Sequence, residues 1–270
     1  MNQTESNKTL LFGAGGFLGQ HLQVALANQG KVTIDGRWKN DDECSTDKYI
    51  ERQIPGNTIK SVIHVGIPKL MQESEIEKAL EHHVKDVVRI AKISFENGVK
   101  QFIWTGSYWQ GQDRLDTYSL AKREIQESLK SISCPQFQVS CVHLSDTYGV
   151  GDLRDKLIPR FLSNIEKNME TKIESPRNEI SPIHVAEAAR ALVSLLKNEN
   201  FNSFEVFDLR GDRVLEVIDL ADLVKKINPK FQYKIDDDNH MGYKYPVKGK
   251  SIPNWNLAVS LEDGLRDLFS

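Results

Sequence analysis

Cysteine is scarce. Cys44, Cys134 and Cys141 are the three in 270 residues. Their odd number and lack of metal-like spacing exclude a disulfide framework and read as reduced thiols of a cytoplasmic protein. No apolar run reaches the roughly 18 residues of a spanning helix. Met1 to Lys8 is polar and lacks the apolar stretch of a secretory signal, so neither export nor a membrane partner is expected. Charge of one sign is lacking too: 35 basic against 38 acidic residues leave a net charge of −3. That balance gathers no nucleic acid. Repeats, low-complexity blocks and Pro/Gly/Ser-rich linkers are missing. What remains is 39% hydrophobic and 27% charged, an ordinary globular composition, long enough to bury a core without staples.

Hydrophobic periodicity organises the chain. Lys8 to Phe12 is a short apolar run that stops at glycines. Helical spacing follows through Leu18, Leu22 and Leu26, Gly30 ends that helix, and Val32 to Ile34 forms a second strand. The alternation continues with strands at Ser61 to Val65, Gln101 to Trp104 and Gln138 to Leu144. Helices are expected at Glu75 to Asn97, Tyr118 to Ser131 and Leu157 to Asn168. After about residue 150 the pattern loosens into a helix over Val185 to Leu196, a strand over Phe204 to Leu209 and a helix over Val217 to Ile227. Short apolar strands alternating with helices predict a parallel sheet covered on both faces.

The first turn carries a specific signal. Gly13, Gly16 and Gly19 give a G-x-x-G-x-x-G spacing between a strand and a helix, with a second strand after it. Gly13 permits the tight turn, Gly16 lets backbone approach a pyrophosphate, and Gly19 lets helix and strand pack closely. The helix start, with Phe17 and Leu18, offers N–H groups to phosphate. This context predicts dinucleotide binding. The fold class is therefore α/β: a Rossmann-type doubly wound parallel sheet with a smaller C-terminal α/β substrate-binding lobe. Residues 1–150 would mainly bind the dinucleotide and 151–270 mainly the substrate, with elements interleaved. After the second strand, Asp35 and Arg37 flank Gly36. An acid there serves the ribose of NAD, and an arginine the 2′-phosphate of NADP. The sequence leans to NADP and leaves NAD open.

Tyr118 and Lys122 stand at i and i+4 on one helical face. A neighbouring ammonium favours the phenolate, so the pair can tune a tyrosine for proton transfer to or from a carbonyl. Upstream, the strand through Trp104 ends at Ser107, whose hydroxyl can hold a substrate oxygen.

These motifs, in this order, resemble the extended short-chain dehydrogenase/reductases, the nucleotide-sugar epimerase, dehydratase and ketoreductase group. The likeness runs along nearly the whole chain. Leu10 to Gly19 is similar to that family's cofactor turn, Val62-Ile63-His64-Val65-Gly66 to its fourth strand, and Tyr118/Lys122 to its YxxxK motif. His143 to Asp152 resembles "RPxxVYGPGD", Ile183 to Ala191 resembles "FIHVDDVARA", and Trp255 to Leu265 its closing segment. The resemblance implies that Tyr118 is the acid/base, that Lys122 holds the nicotinamide ribose, and that Ser107 binds the reacting oxygen. It implies backbone contacts to the cofactor from Val65, Gly66, Leu144 and Ser145. It also implies a homodimer paired through the helices over 75–97 and 118–131. There are departures. Only ten residues separate Ser107 from Tyr118, His143 stands in place of an arginine, and Ile180 lies near a missing arginine.

Dehydratases of the group carry carboxylates just after the catalytic hydroxyl residue, whereas Ser107 is followed by Tyr108-Trp109-Gln110. That string is similar to "GTxWQ" in reductases of CDP-4-keto-dideoxyhexoses that yield paratose- or abequose-type sugars for surface polysaccharide. The implied activity is reduction of a C4 keto group on a nucleotide sugar, with Trp109 and Gln110 lining the sugar pocket. An epimerase with tightly bound NAD is the alternative, and a silent cofactor sensor a third reading. Adjacent His82 and His83 point to different helix faces and make no metal site. His64 and His184 read as hydrogen-bonded structural residues. Asp236-Asp237-Asp238 reads as a solvated loop. Residues 240–254, with Tyr243, Lys244, Tyr245 and Lys248, read as surface loop or as a cover over a nucleotide diphosphate.

Overall fold

A computed structural model of the chain describes residues 8–35, 59–67, 76–111, 115–197, 202–236, 242–247 and 249–270. In chain order its first half contains β1 (Lys8–Phe12), α1 (Phe17–Ala27), β2 (Val32–Asp35), β3 (Ile59–His64), α2 (Ile76–Glu96), β4 (Gln101–Ser107), α3 (Thr117–Ile132) and β5 (Gln138–Leu144). The second half adds β6 (Thr147–Tyr148), α4 (Leu157–Glu166), β7 (Thr171–Ile173), β8 (Glu179–Ile180), β9 (Ile183–His184) and α5 (Val185–Ser194). It closes with β10 (Phe204–Leu209), β11 (Leu215–Glu216), α6 (Val217–Ile227), β12 (Tyr233–Ile235) and α7 (Leu261–Phe269).

Six strands form one sheet in the order β10-β5-β4-β3-β1-β2, and every neighbouring pair is parallel. Parallel strands need covered crossovers, and here helices lie on both faces. Successive side chains of a strand point to opposite faces, so each central strand feeds two cores. Leu10, Val62, Phe102 and Cys141 join the core under α2 and α3. Their neighbours Leu11, Ile63, Ile103 and Val142 join the core under α1 and α5. This explains why the strands read as unbroken apolar runs rather than as alternating ones.

Two elements from beyond residue 150 complete this layer. β10 adds to the outer side of β5, and α5 packs against α1. The remaining C-terminal elements, α4, α6 and α7 with short strand pairs, surround a third core built on Phe161, Ile173, Leu220, Phe231 and Leu265. The chain leaves β1 for β2 on one side and for β3 on the other. This reversal of strand order opens a crevice at their C-terminal ends, where ligands of such sheets bind.

Candidate active site

The glycine turn lies at that crevice. Gly13 adopts φ +90°, and a Cβ on it would stand 2.6 Å from the backbone nitrogen of Gly66, at the end of β3. A Cβ at Gly19 would run into the Gly13 carbonyl oxygen. The two glycines bring β1, β3 and α1 closer than any other residue allows. The Gly16 N–H donates to Gly13 O at 3.0 Å. Gly16 then caps α1 with no side-chain hydrogen bond and no acid in the first turn. Exposed glycine backbone ahead of an uncapped helix start fits a dinucleotide pyrophosphate. The ring of Phe17 lies under the Arg154 guanidinium, 4.6 Å from its centroid. Leu18 packs instead into the core under α1, as does Val65.

Leu144 ends β5, and Ser145 beyond it is buried. The Ser145 N–H donates to Leu209 O at 2.9 Å, and its hydroxyl donates to Ser181 O at 2.7 Å. Arg37 and the side chain of Asp35 lie outside the described residues, as do Cys44, Asp237, Asp238 and Lys248.

The three proposed chemical groups come together at the end of β4. Asp116 caps α3, accepting from the Ser119 N–H at 2.9 Å. This cap sets Tyr118 in the first turn and Lys122 one turn further along. The Ser107 side chain lies beside the Tyr118 hydroxyl, close enough to favour its ionised form. The Ser107 hydroxyl oxygen accepts from the Trp109 N–H at 3.3 Å. Lys122 is buried, with its Nζ 5.7 Å from the Tyr118 ring centroid and 4.9 Å from that of Trp104. It donates to Thr105 O at 3.4 Å. Burial pushes the Lys122 ammonium down to about 8.

Burial also holds the Tyr118 phenol above its ordinary value. Ser107 pulls against that shift, while Asp146 and Asp116 add to it. The sequence-based expectation of a phenol lowered by the ammonium is therefore reversed here: desolvation sets the direction.

Tyr108 and Trp109, which follow Ser107, border a cavity of about 270 Å³ together with Asp146, Lys156, Arg160 and Asn178. The Tyr108 hydroxyl donates to Asp146 Oδ2 at 2.8 Å, and its ring stacks on Tyr245 at 4.9 Å. Trp109 meets Tyr243 edge-on at 6.3 Å. So Tyr243 and Tyr245 sit against the aromatic pair that follows Ser107. Lys244 pairs with Glu179 at 2.6 Å.

Gln110 is placed otherwise than the sugar-lining position expected for it. It is buried, and its amide is engaged at both ends by Ser107 and Gln126. Lys156, Arg160 and Asn178 carry no motif that would have marked them in the sequence, and Asp146 stands at an unspecified position of the segment over His143 to Asp152. His82 is exposed and His83 buried, on different sides of α2. His184 accepts from the Ala186 N–H, capping α5. His64, expected to be hydrogen-bonded, leaves Nδ1 without a partner among the described residues, and His83 leaves Nε2 so. Burial lowers the two imidazoles to about 3 and about 2. Among the described residues no group of three or more His, Cys, Asp or Glu side chains is placed to hold a metal ion, and no helix is long and apolar enough to cross a membrane.

Residues 9–209 match the model of the NAD dependent epimerase/dehydratase family. The chain belongs to that family. Among curated proteins, this epimerase/dehydratase-family chain is 21% identical over 289 positions to the CDP-abequose synthase of Salmonella muenchen, with 98% of each chain covered. Among solved structures it is similar to the UDP-glucose 4-epimerase from Brucella ovis in complex with NAD, at TM-score 0.80 and 15% identity over 96% of both chains. It is also similar to TunA, an NAD-dependent NDP-hexosamine 5,6-dehydratase of tunicamycin biosynthesis. That match has a TM-score of 0.77 and 18% identity, and covers 97% of this chain and 96% of the other. These structural likenesses establish the Rossmann-type fold.

Proposed function

We propose that this protein reduces the C4 keto group of a nucleotide-activated deoxysugar of the CDP-4-keto-dideoxyhexose type, a step toward surface polysaccharide. The observation that carries the reading is Ser107, Tyr118 and Lys122 gathered at the end of β4, with an aromatic pair and no carboxylate immediately after Ser107. Elimination needs a further acid and base, and the residues after Ser107 supply none. The name of the abequose synthase relative supports the same substrate class. In this reading residues 1–150 mainly hold the dinucleotide and 151–270 mainly the sugar nucleotide. Gly36-Arg37 after β2 favours NADPH over NADH.

The reduced nicotinamide supplies hydride when bound. Tyr118 gives its phenolic proton to the carbonyl oxygen, and its raised pKa keeps that proton in place at neutral pH. Ser107 hydrogen-bonds the same oxygen as negative charge develops on it. The Lys122 ammonium beside the ring stabilises the phenolate that remains. Trp109 faces the sugar, and Lys156 and Arg160 on the cavity wall bring positive charge toward the diphosphate.

The test mixes purified protein with NADPH, or separately NADH, and a panel of CDP-4-keto-deoxyhexoses while the absorbance of the reduced cofactor is followed. Loss of reduced cofactor in proportion to sugar consumed is the expected result, faster with NADPH. A new sugar without net cofactor loss indicates an epimerase. No turnover of any sugar despite cofactor binding overturns the substrate class.

A further inference from the structure

Behind Ser107 runs a line of buried and half-buried polar groups that the chemistry above does not use. The sheet register sets Gly106 of β4 opposite His143 of β5, and His143 opposite Asp208 of β10. The three share the face covered by α3. The Ser107 backbone N–H donates to Gln110 Oε1 at 2.9 Å. Gln110 Nε2 donates to Gln126 Oε1, on α3, at 2.9 Å. The same Gln126 oxygen lies 2.7 Å from His143 Nε2. His143 Nδ1 lies 3.2 Å from Asp208 Oδ1, and Asp208 Oδ2 accepts from the Gly249 N–H at 2.6 Å.

Two backbone N–H groups, which can only donate, fix the directions from both ends. Because Ser107 N–H donates, Gln110 must present its oxygen there and its NH₂ to Gln126. Gln126 then presents its oxygen, so His143 Nε2 carries a proton. At the far end Asp208 accepts from Gly249. The contact between His143 Nδ1 and Asp208 Oδ1 is then a hydrogen bond only if a proton lies on it.

Two glycines show that the line is built in. A Cβ at Gly106 would collide with Gln110 Oε1, and one at Gly249 would stand 2.7 Å from the Asp208 backbone nitrogen. Arg123 also donates to the Gln110 carbonyl at 3.4 Å.

We propose that Gln110, Gln126, His143 and Asp208 are positioning residues that hold the Ser107 turn against Tyr118, and that His143 and Asp208 share a buried proton to do so. The catalytic part of this inference rests on the reductase reading; the structural part does not. The line also ties Ser107 to Gly249, in the same stretch of chain as Tyr243 and Tyr245, which pack on Trp109 and Tyr108. A glutamine in the sugar pocket would read a hydroxyl, whereas this one sets the angle of the serine.

The test compares Gln126→Leu, which removes the shared acceptor, with Gln126→Glu, which keeps an oxygen facing both donors. Amide hydrogen exchange at Ser107 and the ring N–H signals of His143 are read by NMR on the protein without substrate. Steady-state kinetics follow. The expected result for Gln126→Leu is loss of Ser107 amide protection and of the slowly exchanging His143 ring protons. Its kcat falls between about 10-fold and 100-fold, while KM stays within about twofold. Gln126→Glu restores all three. Should Gln126→Leu fail to fold, Gln110→Met removes the acceptor of the Ser107 N–H and the donor to Gln126, and loss of Ser107 amide protection with the same fall in kcat is expected.

Unchanged Ser107 protection and His143 signals in a folded variant overturn the proposal. So does a general loss of stability that Gln126→Glu does not restore. If the wild-type protein turns over no keto sugar yet the NMR signals respond as expected, the positioning line stands and the reductase reading falls.

Discussion

Tyr118 and Lys122 are displaced from their ordinary protonation behaviour by the same cause, burial, with opposite consequences. The phenol is pushed up and stays a proton donor, whereas the ammonium is pushed down to about 8. Tyr118→Phe removes the donor and leaves the ring. Its kcat is expected to fall about 10²- to 10⁴-fold, with cofactor affinity, measured by fluorescence titration, unchanged within about twofold. Lys122 makes stability depend on pH. Its folded value lies below the ordinary 10.5. Between about 8 and 10.5 the unfolded chain therefore binds a proton that the folded chain does not, and stability from this group rises with pH. Below about 8 the folded chain keeps a charged ammonium out of water, and the penalty is constant. Denaturant midpoints measured on both sides of that window should rise in the wild type relative to Lys122→Met. An equal pH response in the two proteins would refute this. The site was only half legible at this scale. Ser107, Tyr118 and Lys122 lie within one strand–helix unit and carry spacing. Gln126, His143 and Asp208 belong to α3, β5 and β10 and meet only through the sheet register.

Among the elements, α1 depends on small residues for its seat. Gly19→Ala would drive a Cβ into the Gly13 carbonyl oxygen and against Ala14. Overpacking of this kind costs about 1–3 kcal/mol, and dinucleotide affinity should fall with it. Gly30, at the other end of the helix, has φ +68° and open space around it. Gly30→Ala should cost about 1–2 kcal/mol through the backbone alone and leave dinucleotide affinity unchanged. Equilibrium unfolding and cofactor titration on the two variants separate packing from backbone strain. The long elements were readable because they are periodic. The strands at 8–12, 138–144 and 204–209 and the helix at 217–227 lie where their apolar patterns put them. The two- and three-residue strands β6, β7, β8, β9, β11 and β12 are too short for any period to show. Helix α7 was visible only as a resemblance. It buries Leu261, Leu265 and Phe269 at i, i+4 and i+8, but over nine residues at the end of a loop-rich segment.

At the scale of the molecule, β10 occupies one edge of the six-stranded sheet, and α5 covers α1, although both come late in the chain. A chain cut after residue 197 would keep the glycine turn, Ser107, Tyr118 and Lys122 and still lack the strand that covers β5. Such a fragment should be insoluble and should bind no dinucleotide, because an uncovered apolar edge strand is a template for other chains. Solubility and cofactor retention of the fragment beside the full chain check this. The same order of elements has a temporal side. A growing chain finishes β5 long before β10 leaves the ribosome, and at roughly 5–20 residues per second the interval lasts on the order of seconds. Throughout it, Val139, Cys141 and Val142 border an open edge in a crowded cell. The nascent protein is thus exposed to mispairing late in synthesis, and a chaperone that protects it has to act at the β5 edge before residues 204–209 arrive.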